Sequence, residues 1–128
     1  MNVNELVGFS VFDFSVGVPS VSITPNGLTF NRSVAMKMDY PEYVILLINA
    51  DTKQIAIQAC NKDTQKAVAF YRQRKKTVQS VRLNNRELLN NISQMMGWDL
   101  KQIQHRVEGR MLTQGNAMVF DLSTAKDM

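Results

Sequence analysis

Apolar and polar residues alternate over 18–24 (VPSVSIT), the period of a strand with one buried face. Pro25, Asn26 and Gly27 follow, and Asn-Gly is a strong hairpin signal because both positions tolerate a positive φ. Leu28, Thr29 and Phe30 then read as the returning strand. Asn31 is an N-cap for a short helix over 31–38, with Val34, Ala35 and Met38 on one face. The helix breaks at Asp39-Tyr40-Pro41, because a residue before proline avoids the α region. Residues 42–50 (EYVILLINA) are almost continuously apolar, the pattern of a central strand. After a turn at Asp51-Thr52-Lys53, residues 54–60 (QIAIQAC) alternate, with Ile55 and Ile57 on one face.

The pattern loses its clarity over 64–83. One reading caps a helix at Asp63 or Thr64 and runs it through Arg74, burying Ala67, Phe70 and Tyr71. The preferred reading pairs 67–71 with 77–83 as a hairpin around the tip RQRKK, because Val, Phe, Tyr and Thr suit a pleated surface. Asn84 opens a main amphipathic helix over 85–96: Glu87 stands in capping-box spacing, and Leu88, Leu89, Ile92, Met95 and Met96 form one stripe. Gly97 ends it, and Trp98 is expected to pack over the helix end. A last hairpin joins 105–112 to 117–122 through a turn holding Gly115, and the tail 123–128 is expected to fray. At the other end, Phe12, Phe14, Val16 and Val18 alternate like a strand, so residues 1–17 form an apolar strand or arm. It either completes the chain's own sheet or pairs with another chain's edge. The expectation is one α+β domain over 1–128, with antiparallel hairpins making a curved sheet.

Composition supports a globular domain: 45% of the residues are apolar and 20% charged over 128 residues. The eight methionines read first as core filler and second as an adaptable binding surface. No run approaches the roughly 18 apolar residues of a membrane span. The start of the chain has no basic leader, and Glu5 and Asp13 interrupt it, which argues against a secretory signal. A single cysteine, Cys60, excludes an internal disulfide, so a reducing, cytoplasmic setting is expected.

Charge changes the picture most. The net charge of +4 hides seven cations between Thr64 and Arg86 with no acid among them, while the remainder carries eight cations against eleven acids. Concentrated charge makes a local potential able to hold polyanions. Lys66, Arg72, Arg74, Lys75, Lys76 and Arg82 are therefore candidate contacts to DNA or RNA phosphates, with Tyr71 placed to stack on a base. The plainer reading is a solvated loop that aids solubility or meets an acidic partner. Other chemistry is poorly represented. Cys60 and His105 are the lone thiol and the lone imidazole, too few for a zinc site and a catalytic pair only if folding brings them together. Most acids sit where turns and caps want them, and no phosphate loop, serine elbow or dinucleotide fingerprint occurs. The sequence nominates no catalytic residue, metal, cofactor or small-molecule ligand.

The stretch SITPNGLTFNRSVAMKMDYPEYVILLINADTKQIAIQ resembles, in layout, the swapped-hairpin DNA-binding domains of the AbrB/MazE kind, which run strand, turn, strand, short helix and two strands. The resemblance covers under a third of the chain. It implies DNA contacts near the short helix, where this sequence offers Arg32 and Lys37. Taken whole, with VRLNNRELLNNISQMMG and the closing MVFDL, the chain resembles small proteins of bacteria and their phages, which implies a host-regulation or mobile-element context and no particular activity. The expectation is a non-enzymatic nucleic-acid-binding module, a homodimer, with a protein-assembly module as the alternative.

Overall fold

Three turn residues set the first hairpin. In the computed structural model, which describes residues 17–73, 76–112, 114 and 116–128, β1 (Ser20–Thr24) pairs with β2 (Gly27–Phe30) and Thr24 faces Gly27. The loop is therefore Pro25-Asn26. Proline fixes a negative φ at the first loop position, so the left-handed pair expected at Asn26-Gly27 does not form; of these three residues only Gly27 has a positive φ, 134°. A Cβ there would also stand 2.7 Å from the Leu83 carbonyl oxygen. Glycine thus serves both the turn and the close approach of the strand beyond it.

Asn31 joins this hairpin to helix α1 (Arg32–Lys37). Its Oδ1 accepts from the backbone N–H of Ser20 at 3.1 Å and of Val34 at 3.3 Å, and its Nδ2 donates to the Val18 carbonyl at 2.8 Å. One side chain caps the helix and holds the start of β1. The chain then forms β3 (Tyr43–Asn49) and β4 (Gln54–Cys60), paired along seven positions through a turn where Lys53 has a φ of 57°.

The pairing expected between 67–71 and 77–83 does not occur, and neither does the alternative helix. The short strand β5 (Val68–Ala69) lies against β3, whereas β6 (Val81–Leu83) lies against β2. Each finds a partner outside the segment because the partner supplies a ready hydrogen-bonding edge. Helix α2 (Arg86–Met96) follows, capped by Asn85 rather than the expected Asn84: the Asn85 Oδ1 accepts from the Leu88 N–H at 2.9 Å. Leu89 and Ile92 are buried, Gly97 closes the helix in the left-handed region, and Lys53 donates to the Met95 carbonyl at 2.9 Å from the β3–β4 turn. Trp98 stacks on the buried ring of His105 with centroids 3.8 Å apart.

Strands β7 (His105–Met111) and β8 (Ala117–Asp121) complete the main ladder. The tail expected to fray instead forms a 3-10 turn over Leu122–Thr124 and a short strand β9 (Lys126–Asp127) on β7. Leu122 is buried there, and Asp127 lies 3.6 Å from the Nδ1 of His105. Gly109 of β7 permits a close approach: a Cβ would stand 2.6 Å from the Met118 sulfur and 2.7 Å from the Phe120 ring.

The sheet order is β5-β3-β4-β8-β7-β1-β2-β6, with β9 branching from β7, and every pairing is antiparallel. Phe30, near one end of that order, meets Phe70, just beyond the strand at the other, with ring centroids 5.4 Å apart; Phe120 of β8 touches the same ring at 5.5 Å. The sheet must therefore curl into a half-barrel around these rings. With its two helices the protein is α+β. The apolar run of β3 is less central than its sequence implies. Among the described residues β5 covers only Tyr43 and Val44, and Leu47 and Ile48 are each 44% exposed. No helix among the described residues is long and apolar enough to cross a membrane. Residues 1–16, with the alternating Phe12, Phe14 and Val16, lie outside the described residues.

Candidate functional site

The curl leaves the two ends of the sheet facing one another without joining. Between them lies an open cleft of about 410 Å³, with residues 69–72 on one bank and 79–82 on the other. Backbone bonds hold the first bank: the Phe70 N–H donates to the Glu42 carbonyl at 2.8 Å and the Tyr71 N–H to the Pro41 carbonyl at 3.0 Å. The second bank is held by the β2–β6 ladder, in which Phe30 faces Val81. Phe70, Tyr71 and Val81 are buried, while Arg72, next to Tyr71, and Arg82, next to Val81, are exposed.

Arg72 and Arg82 thus lie ten positions apart in sequence and on opposite banks of one cleft. Neither guanidinium has a carboxylate within ion-pair distance among the described residues, where the one pair is His105 with Asp127. Two uncompensated guanidinium groups across an open slot can hold an anionic chain between them, because each offers a planar fork of donors matched to phosphate. Lys76 is exposed on the loop linking the banks. Arg74 and Lys75 lie outside the described residues. Lys66 is exposed on the turn before β5, at a φ of 65°, and does not line the cleft. Arg86 lines a separate hollow of about 660 Å³ beside Asp99 and Lys101. The basic stretch is therefore two arginines and a linking loop at one cleft, with Lys66 and Arg86 elsewhere.

Tyr71 does not occupy the place its neighbours in sequence imply. The ring is only 4% exposed and packs on Tyr40 at a centroid distance of 5.3 Å, so it cannot offer a free face to a base. Burying it beside Phe70 removes a large apolar area from water, which outweighs leaving a ring in solvent next to four cations. Its hydroxyl oxygen is buried with no hydrogen-bond partner among the described residues. The tyrosines that remain accessible, Tyr40 and Tyr43, stand in the turn after α1 and at the start of β3. Sequence reasoning passed over both; the Asp-Tyr-Pro break marked the turn without showing what it faces.

Cys60 and His105 are not brought together. Cys60 lies two residues beyond Gln58, which faces Ala117, while His105 is six residues from Met111, which faces Met118. At about 3.3 Å per residue their strands place them roughly 20 Å or more apart. Cys60 is a half-buried free thiol. Arg32 and Lys37 are exposed on α1, at its two ends. No family model, curated protein or solved structure matches the chain.

Proposed function

We propose that the protein is a non-enzymatic nucleic-acid-binding module that grips phosphates across the cleft between β5 and β6. The observation that carries this is the placement of Arg72 and Arg82 on facing banks with no acid paired to either among the described residues. Lys76 extends the same positive field, with Arg74 and Lys75 beside it in sequence. The remainder of the chain carries an excess of acids, so the field favours one face for a polyanion and repels it from the others. A single half-buried thiol suits a reducing cytoplasm, and a regulatory role on a bacterial or phage genome suits a small basic-faced domain.

Fluorescence anisotropy against labelled DNA duplex, single-stranded DNA and RNA tests this. Neutralising about five phosphates gives a slope near −4.5 in log affinity against log salt. The double charge reversal Arg72→Glu with Arg82→Glu is expected to remove most of the binding. Affinity that ignores salt, or survives that double change, rejects the proposal.

A second reading, assembly through protein contacts in a homodimer, is favoured by Leu47 and Ile48, exposed where the edge of β3 away from β4 has no partner among the described strands. A second copy's N-terminal arm, with Phe12, Phe14 and Val16 alternating, suits such an edge. Deleting residues 1–17 and measuring mass by light scattering separates the readings. Loss of an oligomer with nucleic-acid affinity intact points to assembly.

A further inference from the structure

The protein has three tyrosines, and all three line one hollow. Tyr40, Tyr43 and Tyr71 surround about 470 Å³ together with Glu42, Arg72 and Gln73, and the hollow shares Tyr71 and Arg72 with the cleft. They come from the end of α1, the start of β3 and the segment after β5, so only the fold gathers them. Tyr71 forms a buried wall and Tyr40, 40% exposed, leans on it at 50°.

The backbone at Tyr40 is held in a conformation its sequence disfavours. Helix α1 ends in a Schellman motif: the Asp39 N–H donates to the Met36 carbonyl at 3.2 Å and the Tyr40 N–H to the Ala35 carbonyl at 2.8 Å. Glycine is usual at such an end. Here Asp39 has a φ of 61° and Tyr40 one of 55°, two consecutive left-handed residues, the second bulky and followed by Pro41. Strain of this kind gathers at ligand sites. Its result is an exposed tyrosine ring held at the hollow against the buried ring of Tyr71.

An aromatic hollow with a carboxylate at its rim would take an alkylammonium group by cation–π attraction. The guanidinium of Arg72 opposes a cation here and favours a ligand that is planar and anionic. A nucleotide is both. Bases inside a duplex present their faces only to one another, so the ligand must be unpaired. We propose that this hollow holds one unpaired base of a single strand. Tyr40 and Tyr43 stack on it, Tyr71 backs the hollow as its wall, and Arg72 binds its phosphate. The proposal rests on the nucleic-acid function and specifies its substrate as single-stranded.

The test uses the full chain and three labelled probes of equal length: a single strand, a duplex, and a single strand of abasic sites. The single strand is expected to bind tightest. Tyr40→Ala is expected to weaken it about ten- to hundredfold while leaving duplex and abasic binding unchanged, and Tyr40→Phe to retain affinity. Tyr40→Leu, which keeps bulk and loses the π face, gives the same readout if the alanine variant fails to fold. Abasic and normal strands binding alike overturns the base site and leaves the phosphate cleft standing. Salt-independent binding of all three probes overturns both. Competition by a trimethyl-lysine peptide but not by nucleotide overturns the assignment in favour of a cation.

Discussion

The β3–β4 ladder and the segment from residue 61 to 83 are neighbours in sequence with opposite constructions. The ladder closes through a tight turn, pairs seven positions and buries Val44, Ile55 and Ile57. Among its described residues the following segment makes five strand residues, divided between β5 and β6, and sends each to a partner at a different end of the sheet. In the first, stability comes from contacts local in sequence. In the second, residues such as Phe70 and Val81 anchor two banks to the core, while the residues beside them are exposed and cationic. A region anchored at a few points can carry a charged slot without disturbing the core that holds it, and this separation makes the two regions independently testable.

The largest expected effect comes from Phe30, the ring that ties Phe70 of the second region to Phe120 of β8. Phe30→Ala is expected to lower stability by about 3–5 kcal/mol in urea unfolding, because the cavity detaches both Phe70 and Phe120. A loss below about 1 kcal/mol would mean that the ends of the sheet are not held around that ring. Gly109→Ala follows at about 1–3 kcal/mol, since the new methyl enters the space of Met118 and Phe120; an unchanged melting temperature contradicts the approach of β7 to β8. Asn31→Ala removes a cap and the tie to Ser20, with an expected loss of about 1–2 kcal/mol by thermal melting, reduced little by serine. Smallest in stability is Arg72→Glu with Arg82→Glu, expected within about 0.5 kcal/mol of the parent although it removes polyanion binding. If that pair unfolds the protein, the bank residues are structural and the comparison fails.

Residues whose partners lie close in sequence were legible. The alternation of 54–60, the apolar run of 42–50 and the Asn31 cap all specify structure within a few positions, and each element formed there. The turn at Pro25 shows the limit of pair rules, since proline's ring moved the positive φ from Asn26-Gly27 to Gly27 alone. Strands β5 and β6 were not legible because two or three residues carry no period. Their pairing depends on edges contributed by β3 and β2, tens of residues away. Tyr71 was misplaced for a related reason: beside RQRKK it reads as a surface ring, and only packing against Phe70 and Tyr40 decides that it is wall. The tail's short polar ending reads as frayed because nothing in it signals that the flank of β7 is open to it.

By itself the sequence determined an α+β chain with paired hairpins, two helices and one concentrated block of positive charge, because period, capping and composition act over a few residues. Only the tertiary structure decided that Arg72 and Arg82 face each other across a cleft, that Lys66 and Arg86 stand apart from it, and that three tyrosines meet in one hollow. Those relations depend on the curl of the sheet, fixed by long-range packing of Phe30, Phe70 and Phe120, and no local pattern encodes which distant edges that curl brings together.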